Sequence, residues 1–374
     1  MSPHRDVLVL GGGVIGLTVA YSLARERLRV AVLDRGDFGR EAYWAGAGII
    51  SPGNPAKART PHDLLRAHSS ALFPALSAEL RERTGIDNGY RRCGGLEIAD
   101  GVGEAANEWR GEGIAFELLR ERDLLRLEPQ LAPGLDAAYH LPDMAQVRNP
   151  RHVKALVAGC ASWGAELLPG CPVHGFERQG GHITAALTGP DALAADRFVI
   201  AAGAWSEALL GPLGFRPGIH PVRGQIALLH PAAAPFRHVL LHGKRYLVPR
   251  PDGRILAGST EEDAGFDKRT TATAVRQLLE FAVSLVPTLG DAPLERCWAG
   301  LRPGTLDELP YLGRVPGFDN LFVAAGHFRS GIQLSPATGL LLKELLLGQK
   351  LTVPLEPFRL DREPAPPRPA AFRS

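Results

Sequence analysis

The chain has 374 residues, 45% hydrophobic and 22% charged, which excludes collagen-like, coiled-coil and disordered classes and predicts two domains at roughly 100–200 residues each. Lys plus Arg number 42 against 40 Asp plus Glu, so there is no electrostatic case for nucleic acid or an anionic membrane as partner. The four cysteines, Cys93, Cys160, Cys171 and Cys297, lie far apart with no C-x-x-C pair, which predicts reduced thiols in a cytoplasmic protein and no metal centre.

Asp6-Val7-Leu8-Val9-Leu10 reads as a strand buried on both faces. Gly11-Gly12-Gly13-Val14-Ile15-Gly16 follows and satisfies G-x-G-x-x-G, and apolar residues then recur at helical spacing to Arg25. A second strand, Val30-Ala31-Val32-Leu33, ends in Asp34. In such a unit Gly11 permits the tight turn, Gly13 lets the backbone approach a pyrophosphate, and Gly16 lets helix and strand pack closely. Val14 and Ile15 open the helix whose free N–H groups favour the anion, while Asp34 accepts hydrogen bonds from ribose hydroxyls. Val7–Ala24 is uncharged and follows Arg5, as in a signal peptide, but the three glycines break the continuous apolar helix that a signal needs. No stretch approaches the ~20 apolar residues of a membrane span. The fingerprint fits FAD or NAD; no second fingerprint is found, so an FAD enzyme would draw electrons directly from an organic substrate.

His62–Thr84 is predicted as an amphipathic helix with Leu64, Leu65, His68, Leu72, Leu76 and Leu80 on one face. Tyr246-Leu247-Val248-Pro249 followed by Pro251-Asp252-Gly253-Arg254 predicts a hairpin. Ser335-Pro336 reads as N-cap and first residue of a closing helix, Leu334–Leu347. From Glu363 to Ser374 the Pro-rich composition predicts a disordered tail.

Five further blocks, in order along the chain, resemble the D-amino-acid oxidase superfamily of FAD-dependent amine oxidases, and within it the glycine oxidase branch of thiamine biosynthesis. Glu41-Ala42-Tyr43-Trp44-Ala45-Gly46-Ala47-Gly48-Ile49-Ile50 looks like the loop that wraps the flavin. Asp196–Ser206, with Gly203 and Trp205, resembles the family's central strand and the turn under the cofactor. Pro221-Val222-Arg223-Gly224-Gln225 resembles the opening of the substrate domain, and Trp298–Thr305 leads to Asp307, Pro310 and Gly313 as in the family. Val323–Ile332 then precedes the closing helix. Two departures stand out. Asp34 replaces the usual Glu, and Ile49-Ile50-Ser51 replaces the Met-Leu-Gly of many glycine oxidases, which puts substrate range in doubt.

The resemblance implies an α/β fold, with a Rossmann-like FAD-binding domain (1–87, 141–215 and 301–362) interleaved with an antiparallel-sheet substrate domain (88–140 and 216–300). It implies cofactor contacts from Ala47, Gly48, Ile49, Val173, Gly203, Trp205, His327, Arg329, Ser330, Gly331 and Ile332. Arg302 matches the arginine that grips the substrate carboxylate and Tyr246 the tyrosine that assists it; Arg329 lines the same cavity or anchors flavin. The closing helix is expected to aim its positive end at the flavin. Cys297 is read as a buried core thiol, so FAD is expected to be non-covalent. The implied reaction is oxidation of glycine to the imine with O2 reduced to H2O2, the imine feeding thiazole synthesis or hydrolysing to glyoxylate. The expected partners are a small amino acid and O2, in a homo-oligomer. D-amino acids or sarcosine as substrate, a quinone-linked dehydrogenase, a non-catalytic flavoprotein and an NAD dehydrogenase are the competing readings.

Overall fold

A computed structural model describes residues 4–98, 104–189 and 191–366; the predicted tail lies outside these from residue 367 onward. A six-stranded sheet runs in the order Tyr311–Arg314, Leu321–Ala325, Arg197–Ile200, Val7–Leu10, Val30–Leu33, Glu166–Leu168. All its pairs are parallel except the first, which is antiparallel. Every residue of Val7–Leu10 and Val30–Leu33 is buried, as a sheet covered on both faces requires. One face is covered by the helices Val14–Arg25, Pro61–Thr84, Asn149–Ser162 and Gly331–Leu346, which pack on one another.

The second large sheet has eight strands, in the order Leu294–Gly304, His220–Leu229, Ile255–Gly258, Arg245–Pro249, Val239–His242, Gly95–Ile98, Ala137–Leu141, Glu117–Arg120. It is antiparallel apart from Val239–His242 against Gly95–Ile98, which run parallel. That pair joins segments far apart in the chain, so no hairpin turn dictates its direction. The Leu294–Gly304 strand passes without a break through residues 300 and 301. The hairpin predicted around Asp252-Gly253 forms between Arg245–Pro249 and Ile255–Gly258.

Two helices differ from expectation. The first, Pro61–Thr84, is capped by Thr60, whose hydroxyl accepts the Asp63 N–H at 3.1 Å. Its buried stripe, however, runs through Leu65, Ser69, Phe73, Ser77 and Leu80, while Leu64, Leu72 and Leu76 are only partly covered. Ser69 faces the closing helix, its Oγ accepting the Ala337 N–H at 3.1 Å, and Ser77 Oγ accepts from Asn88 Nδ2 at 2.9 Å. Apolar periodicity cannot register a contact made by serines. Arg66, also buried, pairs with Asp63 and with Glu112 of the Glu104–Glu112 helix.

The closing helix, the second of the two, begins at Gly331 rather than at Leu334, so Ser335 and Pro336 lie inside it and do not cap it. Pro336 has no N–H to offer the Ile332 carbonyl one turn back. Ser335 Oγ donates to that carbonyl at 2.9 Å, which lets proline sit within the helix. No described helix is long and apolar enough to cross a membrane.

Candidate active site

A single cavity runs from the carboxyl ends of the parallel strands to the face of the eight-stranded sheet. At one end lies the glycine turn. Gly11 adopts φ +118°, and a Cβ there would strike the Ala201 carbonyl; a Cβ on Gly16 would strike the Gly11 carbonyl. Gly13 is different, because a Cβ there would meet no protein atom and would project into open space at the N-cap of the Val14–Arg25 helix. No side chain caps that helix start, so its N–H groups remain available to an anion. Gly16 packs behind the turn and is not in the cavity wall, whereas Gly11, Gly13, Val14 and Ile15 are.

Asp34 closes this end. Its two carboxylate oxygens accept the Gly12 N–H at 2.8 Å and the Gly36 N–H at 2.9 Å, leaving further lone pairs toward the cavity. Burial raises its carboxyl from the usual aspartate range, partly offset by those two amides. Val173 and Trp205 stand nearby in the wall, with the Arg35 guanidinium stacked 3.6 Å from the Trp205 ring centroid. The open turn at Gly13, the uncapped helix and an acid at the second strand end fit a dinucleotide diphosphate and ribose.

The middle of the wall is the Ala47-Gly48-Ile49 loop. Asn149 Nδ2 donates to the Tyr43 and Gly46 carbonyls at 3.0 and 2.5 Å, and Trp298 Nε1 donates to the Trp44 carbonyl at 3.0 Å. Opposite lie Gly203 and the start of the closing helix, Ser330, Gly331 and Ile332. His327 is buried, with Nε2 3.0 Å from Thr338 Oγ1. Burial, and then the His62 ring, hold its imidazole down to about 3, so it is neutral at neutral pH.

Arg302 and Tyr246 occupy the far end, on neighbouring regions of the eight-stranded sheet. Glycines make their room: a Cβ on Gly224 would overlap the Arg302 guanidinium, and one on Gly258 would overlap the Tyr246 ring. Arg302 donates from Nη1 to the Thr260 carbonyl at 3.1 Å and from Nη2 to Ser259 Oγ at 2.6 Å. Both partners are neutral, and among the described residues no carboxylate lies within ion-pair distance. Burial lowers its guanidinium below the usual arginine value, with Tyr246 opposing the shift. Arg329 lines the same cavity but is already engaged, by Glu261 at 2.9 Å and the Lys244 carbonyl at 3.1 Å.

Every expected site residue except Gly16 therefore meets at one cavity. Gly224 and Ser259, which shape the setting of Arg302, were not anticipated; Gly224 stood inside the Pro221–Gln225 block, but its role depends on a neighbour 78 residues away (302 minus 224). Cys297 is half-buried against the core, not fully buried, because its strand lies at the sheet edge; it does not line the cavity. The thiol in the wall is Cys171, at the Asp34 end, where its N–H donates to the Asp34 carbonyl at 2.7 Å.

Comparison with known proteins agrees with this geometry. Residues 6–345 match the DAO family model, described as FAD dependent oxidoreductase. The glycine oxidase of Pseudomonas putida is 38% identical over 365 residues, 95% of this chain and 98% of that protein. The bifunctional protein ThiO/ThiG of Synechocystis is 36% identical over 369 residues, 97% of this chain but 54% of that protein. The crystal structure of glycine oxidase from Geobacillus kaustophilus superposes with a TM-score of 0.90 at 36% identity, covering 96% of this chain and 99% of that one. With the glycine turn, the acid at the second strand and a near full-length match all in agreement, the chain is a member of the DAO family of FAD-dependent oxidoreductases.

Proposed function

We propose that the chain oxidises a small amino acid, glycine foremost, with O2 as the final electron acceptor and H2O2 as product. The observation that carries this reading is Arg302, a guanidinium that faces the cavity and has only neutral partners of its own. A zwitterionic amino acid must bring a carboxylate out of water, and a buried anion needs a partner. Guanidinium supplies both the charge and a planar fork of donors. The Tyr246 hydroxyl assists the same carboxylate, and Arg329, held by Glu261, shapes the cavity wall. The FAD diphosphate would lie at Gly11, Gly13, Val14 and Ile15, its ribose at Asp34, and its ring system along Ala47–Ile49 and Ser330–Ile332. Val173, Gly203, Trp205 and His327 complete that contact. Bound there, FAD would supply the two-electron acceptor for the substrate Cα hydride and the route by which those electrons reach O2. The protein's own share is orientation and exclusion of water, since hydride transfer from a neutral amine asks for no general base beyond loss of the ammonium proton.

The two-part organisation belongs to the same proposal, with 1–87, 141–215 and 301–362 holding FAD and 88–140 and 216–300 facing the substrate, except that residues 301–304 complete the Leu294–Gly304 strand of the eight-stranded sheet and carry Arg302 to the substrate side. So do a cytoplasmic location, where the four unpaired thiols stay reduced, and a homo-oligomeric state. The likeness to ThiO/ThiG supports a product imine that feeds thiazole synthesis. A peroxide assay over glycine, sarcosine and D-alanine tests the reading. Glycine giving the highest kcat/KM supports it; no peroxide from any of the three, with flavin bound, overturns it.

A further inference from the structure

Arg250 follows the Arg245–Pro249 strand and is 5% exposed. Its Nη1 donates to Gln146 Oε1 at 2.9 Å and the Val147 carbonyl at 3.1 Å, and its Nη2 to the Ala47 carbonyl at 2.6 Å. Its Nε has no partner, and no described carboxylate lies within ion-pair distance. The surrounding groups pull both ways: Arg148, the strongest of them, and Arg91 share its sign, while Tyr246 and Asp252 oppose them without forming an ion pair with it. Asp252, the acid in its neighbourhood, is engaged by Arg148 at 3.0 Å and Arg254 at 3.4 Å. Burial lowers the Arg250 guanidinium to about 9, which still leaves it charged at neutral pH.

An uncompensated buried cation is costly, and a neutral donor such as glutamine would hold the Ala47 carbonyl without that cost. A charge at this place is explained if an anion is bound on the other side of the loop. Ala47, Gly48 and Ile49 form the cavity wall directly in front of Arg250, and Tyr43 and Tyr246, which also line it, lie within its field. We propose that Arg250 is a positioning residue that orders the Ala47–Ile49 loop and, through its unpaired buried charge, favours the reduced, more negative form of the bound flavin over the oxidised form. This rests on FAD occupying the cavity.

The test uses holoprotein and reads the flavin midpoint potential together with flavin retention on ultrafiltration. Gln146→Glu places a counter-charge on an existing Arg250 partner while keeping the bonds to Ala47 and Val147. It is expected to retain flavin and to lower the midpoint by about 30 mV, equivalent to a tenfold weaker preference for reduced flavin. Gln146→Met loses the same Nε2 bonds, to the Pro249 carbonyl at 2.9 Å and Cys93 Sγ at 3.4 Å, and the Arg250 bond as well, without adding charge, and should leave the midpoint unchanged. Arg250→Met should lower the midpoint and loosen flavin, and Arg250→Lys should loosen flavin with the midpoint near the parent value. An unchanged or raised midpoint in Gln146→Glu, or loss of its flavin, overturns the proposal, as does a shift of equal size in Gln146→Met. If Arg250→Met holds no flavin, the Gln146 pair decides. A parent chain without flavin would instead contradict the cofactor reading beneath, before any variant is made.

Discussion

Tyr246 shows how a single group contributes at the residue scale. Its ring is almost fully buried and fits against Gly258, so replacing it with phenylalanine removes one hydroxyl and nothing else. Tyr246→Phe should leave fold and flavin content intact and reduce kcat/KM for glycine on the order of 10-fold, the worth of one hydrogen bond of ~1.4 kcal/mol. Steady-state peroxide kinetics on flavin-matched samples check this. The place of Asp34 in the cavity wall was legible from its own strand and glycine turn, whereas Arg302 and Tyr246 were reached only through the family resemblance of the blocks around them. Gly224, Ser259 and Arg250 were not, since each acts on a partner that only the folded sheet brings near.

Among the elements, the strand–turn–helix at the amino terminus was the most legible, because its constraints are local. The structure separates its glycines into two kinds. A side chain at Gly13 would enter the cavity, and one at Gly16 would enter the backbone of the turn. Gly13→Val should therefore lose FAD yet keep the circular dichroism of a folded chain, whereas Gly16→Val should lose both. Equal folding and equal flavin loss in the two variants would contradict that division. The start of the closing helix was misread for an equally local reason: Ser-Pro ordinarily opens a helix, but here the serine hydroxyl serves the carbonyl that proline leaves free. Order and direction in the eight-stranded sheet lay beyond periodicity, since Val239–His242 pairs with a strand some 140 residues earlier (239 minus 95 is 144).

Across the whole molecule, stability is tied to burial of neutral histidines. His152 is fully buried beside Asn88, and burial depresses its imidazole to about 4 from the usual 6.5. The unfolded chain thus binds a proton between pH 6.5 and 4 that the folded chain refuses. Folding stability is fully present above pH 6.5 and is lost as pH falls, by about 1.4 kcal/mol per pH unit for this group. His327, depressed to about 3 by burial and the His62 ring, adds a slope of the same sign. Urea unfolding at pH 7, 6 and 5 should show falling stability, with a shallower fall in His152→Gln; parallel curves would show that His152 does not carry the effect.

The account as a whole turns on one group: a half-buried guanidinium in the wall of a flavin cavity, provided with neutral partners and left to meet a substrate carboxylate. The most direct measurement compares kcat/KM for glycine in the parent, Arg302→Lys and Arg302→Ala, each with flavin content and fold verified. Lysine keeps a point charge without the fork, so Arg302→Lys should lose most of the activity and Arg302→Ala more, while both retain flavin. Glycine oxidation at the parent rate by flavin-replete Arg302→Ala would contradict the account and move the carboxylate site elsewhere, with Arg329 the next arginine in the wall.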